Sequence, residues 1–147
     1  MEADQLREAA QDPPVRLRLY IQFARQRLDT AEAFHADPKA GPDRGRQIHD
    51  LLEDFGNLVD ELSDNLDAYA GSTQDLRKPL AEVVAATNDW AARLKDFKAA
   101  AAASPADAKE SKAYSFALAD AIDAVDSGLQ NAQELLQAQQ ERFKKKK

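Results

Sequence analysis

Between Ile48 and Tyr69 the apolar residues Ile48, Leu52, Phe55, Val59, Leu62, Leu66 and Tyr69 alternate spacings of 4 and 3. That period lines them along one stripe of an α-helix. Leu51 and Leu58, each one position ahead of a stripe residue, widen it to suit a bundle core better than a two-stranded coil. A helix with such a face needs partners, and three more segments repeat the pattern. They are Leu17, Ile21, Ala24, Leu28, Ala31; then Leu76, Leu80, Val83, Thr87, Trp90, Leu94, Phe97, Ala101; then Leu118, Ile122, Val125, Leu129, Ala132, Leu136.

Stop and start signals set the boundaries. Asp12-Pro13-Pro14 is a helix entrance, because the carboxylate can accept an orphan N–H and proline lacks one. The first helix is predicted over 14–36. Asp37 to Pro42 breaks it, Asp43 caps a second helix over 44–70, and Gly71 ends that helix in the left-handed position. Ser72 to Asp75 has capping-box spacing and starts a third helix over 73–103, with Pro79 making its first turn irregular. Ser104-Pro105-Ala106-Asp107 is the strongest local start signal and opens a fourth helix, the longest, over 105–142. Gly128, on the flank of that helix's seam, permits a close helix approach.

Short connections force each helix antiparallel to the one before. The expected fold is therefore all-α, an antiparallel up-down-up-down four-helix bundle over 13–143. Residues 1–12 are expected to be a flexible arm and 144–147 a basic tail. The first helix opens ambiguously, since Val15, Leu17, Leu19, Ile21 and Phe23 also alternate with a period of 2. No second alternating run exists for a strand to pair with. Read as helix, Val15, Leu19 and Phe23 fall off the seam. Either the arm covers them, or they form an apolar patch for a second copy or a partner.

Composition narrows the chemistry. There is no cysteine, so disulfides, thiolate metal sites and cysteine nucleophiles are excluded. No apolar run approaches the roughly 18 residues of a membrane span, so a soluble protein is expected. Glu2 to Asp12 reads like the stretch that follows a removed leader, which slightly favours a periplasmic or secreted location over a cytoplasmic one. The net charge is −6; taking away Arg142 and the four terminal lysines leaves −11 on the body. Such a body is not expected to bind nucleic acid, which needs cations spread over a face.

Glu32 and His35 have the Glu-x-x-His spacing of ferritin-like di-metal bundles, but the second copy of the motif is missing. They are weak metal candidates, and no cofactor is expected. Arg44, Gly45 and Arg46, with Gly41, stand at a helix entrance where an anion is favoured. Asp120, Asp123 and Asp126 fall on outward positions and read as a solvated face. Trp90 and Thr87 read as core, the threonine able to bond a carbonyl one turn back. From Gln47 to Leu76 there is no Lys or Arg, which leaves Asp50, Glu53, Asp60, Glu61, Asp64 and Asp67 as a candidate face for a basic partner.

No nucleophile elbow, nucleotide loop or zinc pattern is present. The expected function is therefore a noncatalytic interaction or structural protein, with another protein or a second copy as partner. Two alternatives stand: a small-molecule or metal carrier using Glu32, His35 and Thr87, and an amphipathic bundle associated with a lipid or granule surface. In composition the Ala-rich helices resemble those of phasins and exchangeable apolipoproteins, without a shared motif. A lipid binder would line its polar border with Lys and Arg, which the second helix lacks, so membrane-surface contact is not expected.

Overall fold

In a computed structural model the described residues, 2–37, 39 and 41–144, are all-helical. Six helices follow in order: α1 (Glu2–Glu8), α2 (Pro13–Ala36), α3 (Arg44–Ala68), α4 (Arg77–Ala101), α5 (Pro105–Ser111) and α6 (Ser115–Phe143). None of the described helices is long and apolar enough to cross a membrane. Lys145 to Lys147 of the expected basic tail lie outside the described residues.

The four long helices enclose one core, and successive ones alternate in direction. Packing is principally between α2 and α3, α3 and α6, α6 and α4, and α4 and α2. That cyclic order leaves α3 and α4, although consecutive among the long helices, facing each other across the core. There the Phe55 and Trp90 rings meet edge to face, with centroids 5.3 Å apart. It also makes α3 and α6 parallel neighbours: Gly56 lies beside Ala121, Gly128 beside Val59, and Asn131 Nδ2 donates to Ser63 Oγ at 2.6 Å. Helices α2 and α4 are the other parallel pair, joined by Arg18 to Glu82 and by Arg93 to Glu32 and Asp29.

The α3 and α4 stripes are buried as their periodicity requires, and Thr87 donates to the Val83 carbonyl at 2.8 Å. Of the expected α6 seam, Leu118, Val125 and Ala132 are buried, while Ile122, Leu129 and Leu136 are half-buried on the flanks. Ala117, Ala121, Ala124 and Gly128 are buried in their place. Small residues let α6 sit close against α3, so they take the inner positions. A Cβ built on Gly128 would stand 3.4 Å from Val59 Cγ1. The tighter place is Gly45, where a Cβ would come within 3.1 Å of Ala113 Cβ.

Other boundaries also move. The helix expected over 105–142 is two helices, turned at Lys112 to Tyr114. Ser104 does cap its start, accepting from the Asp107 N–H at 3.1 Å. However, residues 106–113 carry no apolar side chain larger than alanine, so nothing holds them on the line of α6. The turn lets Tyr114 pack edge-on against Phe97 instead, with ring centroids 5.8 Å apart. Helix α4 starts at Arg77 rather than 73, which places Pro79 in the first turn, where a missing N–H breaks no helical bond. Gly71 does not adopt the left-handed conformation expected of it, and Asp43 sits at the N-cap of α3 without a side-chain capping bond.

The N-terminal segment is helical over Glu2–Glu8 and packs on α2, with Glu2 paired to Arg27 and Ala9 buried. Of the three residues off the first seam, Phe23 is buried, Leu19 half-buried and Val15 exposed. The expected patch therefore shrinks to its Val15 end.

The connection from α3 to α4 crosses the end of the core and is pinned by a buried side chain. Gln139 accepts from the Leu76 N–H at 2.7 Å and donates from Nε2 to the Gln74 carbonyl at 3.0 Å. Gln139→Leu leaves that buried N–H without a partner. It is expected to lower the unfolding free energy by about 1–3 kcal/mol in urea denaturation. An unchanged midpoint would refute the pinning role.

Candidate functional site: a carboxylate-lined trough between parallel helices

The segment 47–76 is not alone in lacking Lys and Arg; the stretch 113–141 lacks them too. The fold sets these two segments side by side as α3 and α6, so carboxylates about 60 residues apart in the chain share one surface. A trough of about 410 Å³ runs between them, with Glu53 and Asp60 on one rim and Asp120 and Asp123 on the other. Leu52, Gly56, Ala117 and Ala124 also line it. Further along the same seam, beyond the Ser63–Asn131 bridge, a second depression of about 210 Å³ is lined in part by Asp67 and Glu134. At the α6 N-terminal end stands Phe116, 85% exposed.

The electrostatics of the trough are unrelieved. Burial, and then the negative charges of Asp64 and Asp120, raise the Asp60 carboxyl above its ordinary value. The imidazole nearest to hand is His49, whose Nδ1 lies 3.0 Å from Asp50 and whose Nε2 lies 3.7 Å from Glu53. Two arginines of the other long helices are engaged in pairs of their own. Arg93 holds Glu32 and Asp29, and Arg27 holds Glu2 with Asp54 at 3.9 Å.

Among the six carboxylates expected to form an interaction face, Glu53, Asp60 and Asp67 line the seam and Asp50 adjoins it through His49. Asp64 acts on Asp60 from the same helix, and Glu61 is exposed without lining either depression. Sequence reading missed Phe116, Asp120 and Asp123 as members of this site. The signal available for them was the second Lys/Arg-free run.

The other candidates are drawn apart. Glu32 turns to Arg93, whereas His35 packs its ring on Phe97, 5.0 Å between centroids, with Nε2 4.0 Å from Asp107. The two side chains of the Glu-x-x-His pair thus serve different neighbours. No group of three potential metal ligands occurs among the described residues. At the entrance of α3, Arg44 Nε donates to Glu110 at 2.9 Å and its Nη1 to the Asp37 carbonyl. The anion there is the chain's own carboxylate; Gly45 is buried against α5 and the following turn, and Arg46 is exposed.

No family model, curated protein or solved structure matches this chain.

Proposed function

We propose that the chain is a noncatalytic interaction module, a four-helix bundle of α2, α3, α4 and α6 that recognises a basic protein through the α3/α6 face. The observation that carries this is the juxtaposition of two Lys/Arg-free helices around a trough with an exposed aromatic at one end. Surface charge is ordinarily mixed, and a one-sign concave face concentrates counter-charged partners and speeds their encounter. A noncatalytic role is supported by how the reactive side chains are used: Glu32 and Arg44 are each committed to an ion pair within the chain, and His49 Nδ1 lies 3.0 Å from Asp50 Oδ1. The groups a carrier would need are dispersed, since Thr87 bonds its own helix and His35 and Glu32 diverge. A lipid-surface role finds no Lys or Arg within the runs 47–76 and 113–141 that supply this face.

Affinity capture from the source cells with the native protein and with an Asp60→Lys, Asp120→Lys, Asp123→Lys variant tests the proposal. A basic protein is expected to be retained by the native chain, released by raised salt and lost with the variant. Identical partner sets for both proteins would overturn the proposal.

A further inference from the structure

We infer that the partner element seated in the α3/α6 trough is a cationic amphipathic α-helix, its basic side chains toward the carboxylate rims and an apolar side chain against Phe116. The inference rests on the reading just given and narrows it to one kind of occupant. Shape is the first argument. The trough extends from His49 to Asp60 on one helix and from Phe116 to Ser127 on the other, about 16 Å or three helical turns. Because α3 and α6 run parallel and in contact here, as Gly56 beside Ala121, Val59 beside Gly128 and Ser63 bonded to Asn131 show, the surface between them is a furrow of the kind that receives a further helix by ridge-into-groove packing.

Hydrogen bonding is the second argument. An extended segment laid in the furrow would bring unpaired backbone carbonyls as well as N–H groups. The rims are carboxylates, which only accept, and the donors on offer are few, chiefly Asn57 and Ser127. A helix satisfies its own backbone and presents only side chains, so Lys or Arg can meet Glu53, Asp60, Asp120 and Asp123 without leaving carbonyls stranded. Charge is the third. Asp60 and Asp120 line opposite rims of the trough, and a cation seated between them offsets the negative charge that they and Asp64 bring to the seam. Phe116 supplies an apolar contact that a uniformly charged chain would not use.

Fluorescence-anisotropy titration of the full chain with three labelled synthetic peptides of about 14 residues, enough for nearly four turns, decides the matter. One is an amphipathic Lys/Leu helix, one has the same composition interrupted by prolines, and one is oligolysine. The amphipathic peptide is expected to bind and to gain helical circular dichroism in the complex. Phe116→Ala is expected to weaken it roughly tenfold without shifting the melting temperature, since the ring is exposed. Asp60→Asn with Asp120→Asn is expected to weaken it and flatten its salt dependence.

If the proline-interrupted peptide or oligolysine binds as tightly and responds to the aspartate variants, the helix inference falls while the carboxylate face stands. If no peptide binds, or binding ignores both sets of substitutions, the face itself is refuted. If the free protein sediments as a dimer that Phe116→Ala dissociates, the occupant is a second copy and the partner-helix inference is overturned.

Discussion

Replacing Trp90 with alanine is expected to cost about 3–5 kcal/mol of unfolding free energy, the range for removing a large aromatic from a packed core. Trp90 is fully buried and meets Phe55 edge to face at 5.3 Å, the contact by which α4 reaches α3 across the core. Truncation removes that contact and leaves a void bordered by helices that are held apart by their other neighbours. Trp90→Phe is expected to cost far less, because an aromatic ring remains and the buried indole N–H, which has no hydrogen-bond partner among the described residues, is removed with the rest of the indole. Trp90 is the sole tryptophan, so unfolding of both variants is followed by far-ultraviolet circular dichroism in urea. A loss below about 1.5 kcal/mol for Trp90→Ala would mean that the core is not closed across this diagonal.

The second large effect is at alkaline pH. Tyr114, at the turn into α6, is 1% exposed and its hydroxyl has no hydrogen-bond partner among the described residues. Burial first, then the nearby charges of Glu110 and Asp107, push its ionisation up to about 12 from 10.0, with Arg44 opposing. Between those values the unfolded chain releases the phenolic proton and the folded chain keeps it. Stability from this group is therefore intact below pH 10 and is lost as pH rises toward 12, by about 1.4 kcal/mol per pH unit. Tyr114→Phe abolishes that loss. At neutral pH the variant is expected to match or exceed the native protein by up to about 1 kcal/mol, since an unpartnered buried hydroxyl is gone. The measurement is the difference in urea midpoint between the two proteins from pH 7 to 11.5. Parallel curves across that range would show that the hydroxyl is not buried as described.

How legible each element was depended on the size of its buried residues. The α3 and α4 stripes carry Leu, Phe, Val and Trp at helical spacing, and large side chains at that period have only one face to hide. In α6 the same reasoning chose Leu118, Val125 and Ala132, which are buried, but also the large Ile122, Leu129 and Leu136, which are half-buried, and it left out Ala117, Ala121 and Ala124. Small residues carry a weak hydrophobic signal, yet they allow the close approach that settles the register. The turn at 112–114 was invisible for a related reason, as Lys112-Ala113-Tyr114 includes neither proline nor glycine. Local propensity there favours continuing the helix, and the burial of Tyr114 against Phe97 overrides it. Gln139 was equally hidden, because its burial follows from two backbone groups brought to it from 65 and 63 residues away.

What the amino-acid sequence alone determined is that the described chain is helical, about where α2, α3 and α4 run, and which stripe of α3 and α4 turns inward. Helical periodicity specifies the direction and width of an apolar face, and short connections make successive long helices reverse. Neither specifies which face meets which. Only the tertiary structure decided that α3 lies beside α6 and opposite α4, through the fit of small α6 residues to α3 and the anchoring of the α3–α4 connection by Gln139. That choice of neighbours brings the carboxylates of two remote segments onto one trough, because a stripe encodes its own burial while the identity of its partner is settled by side-chain volume and by the ties at the helix ends.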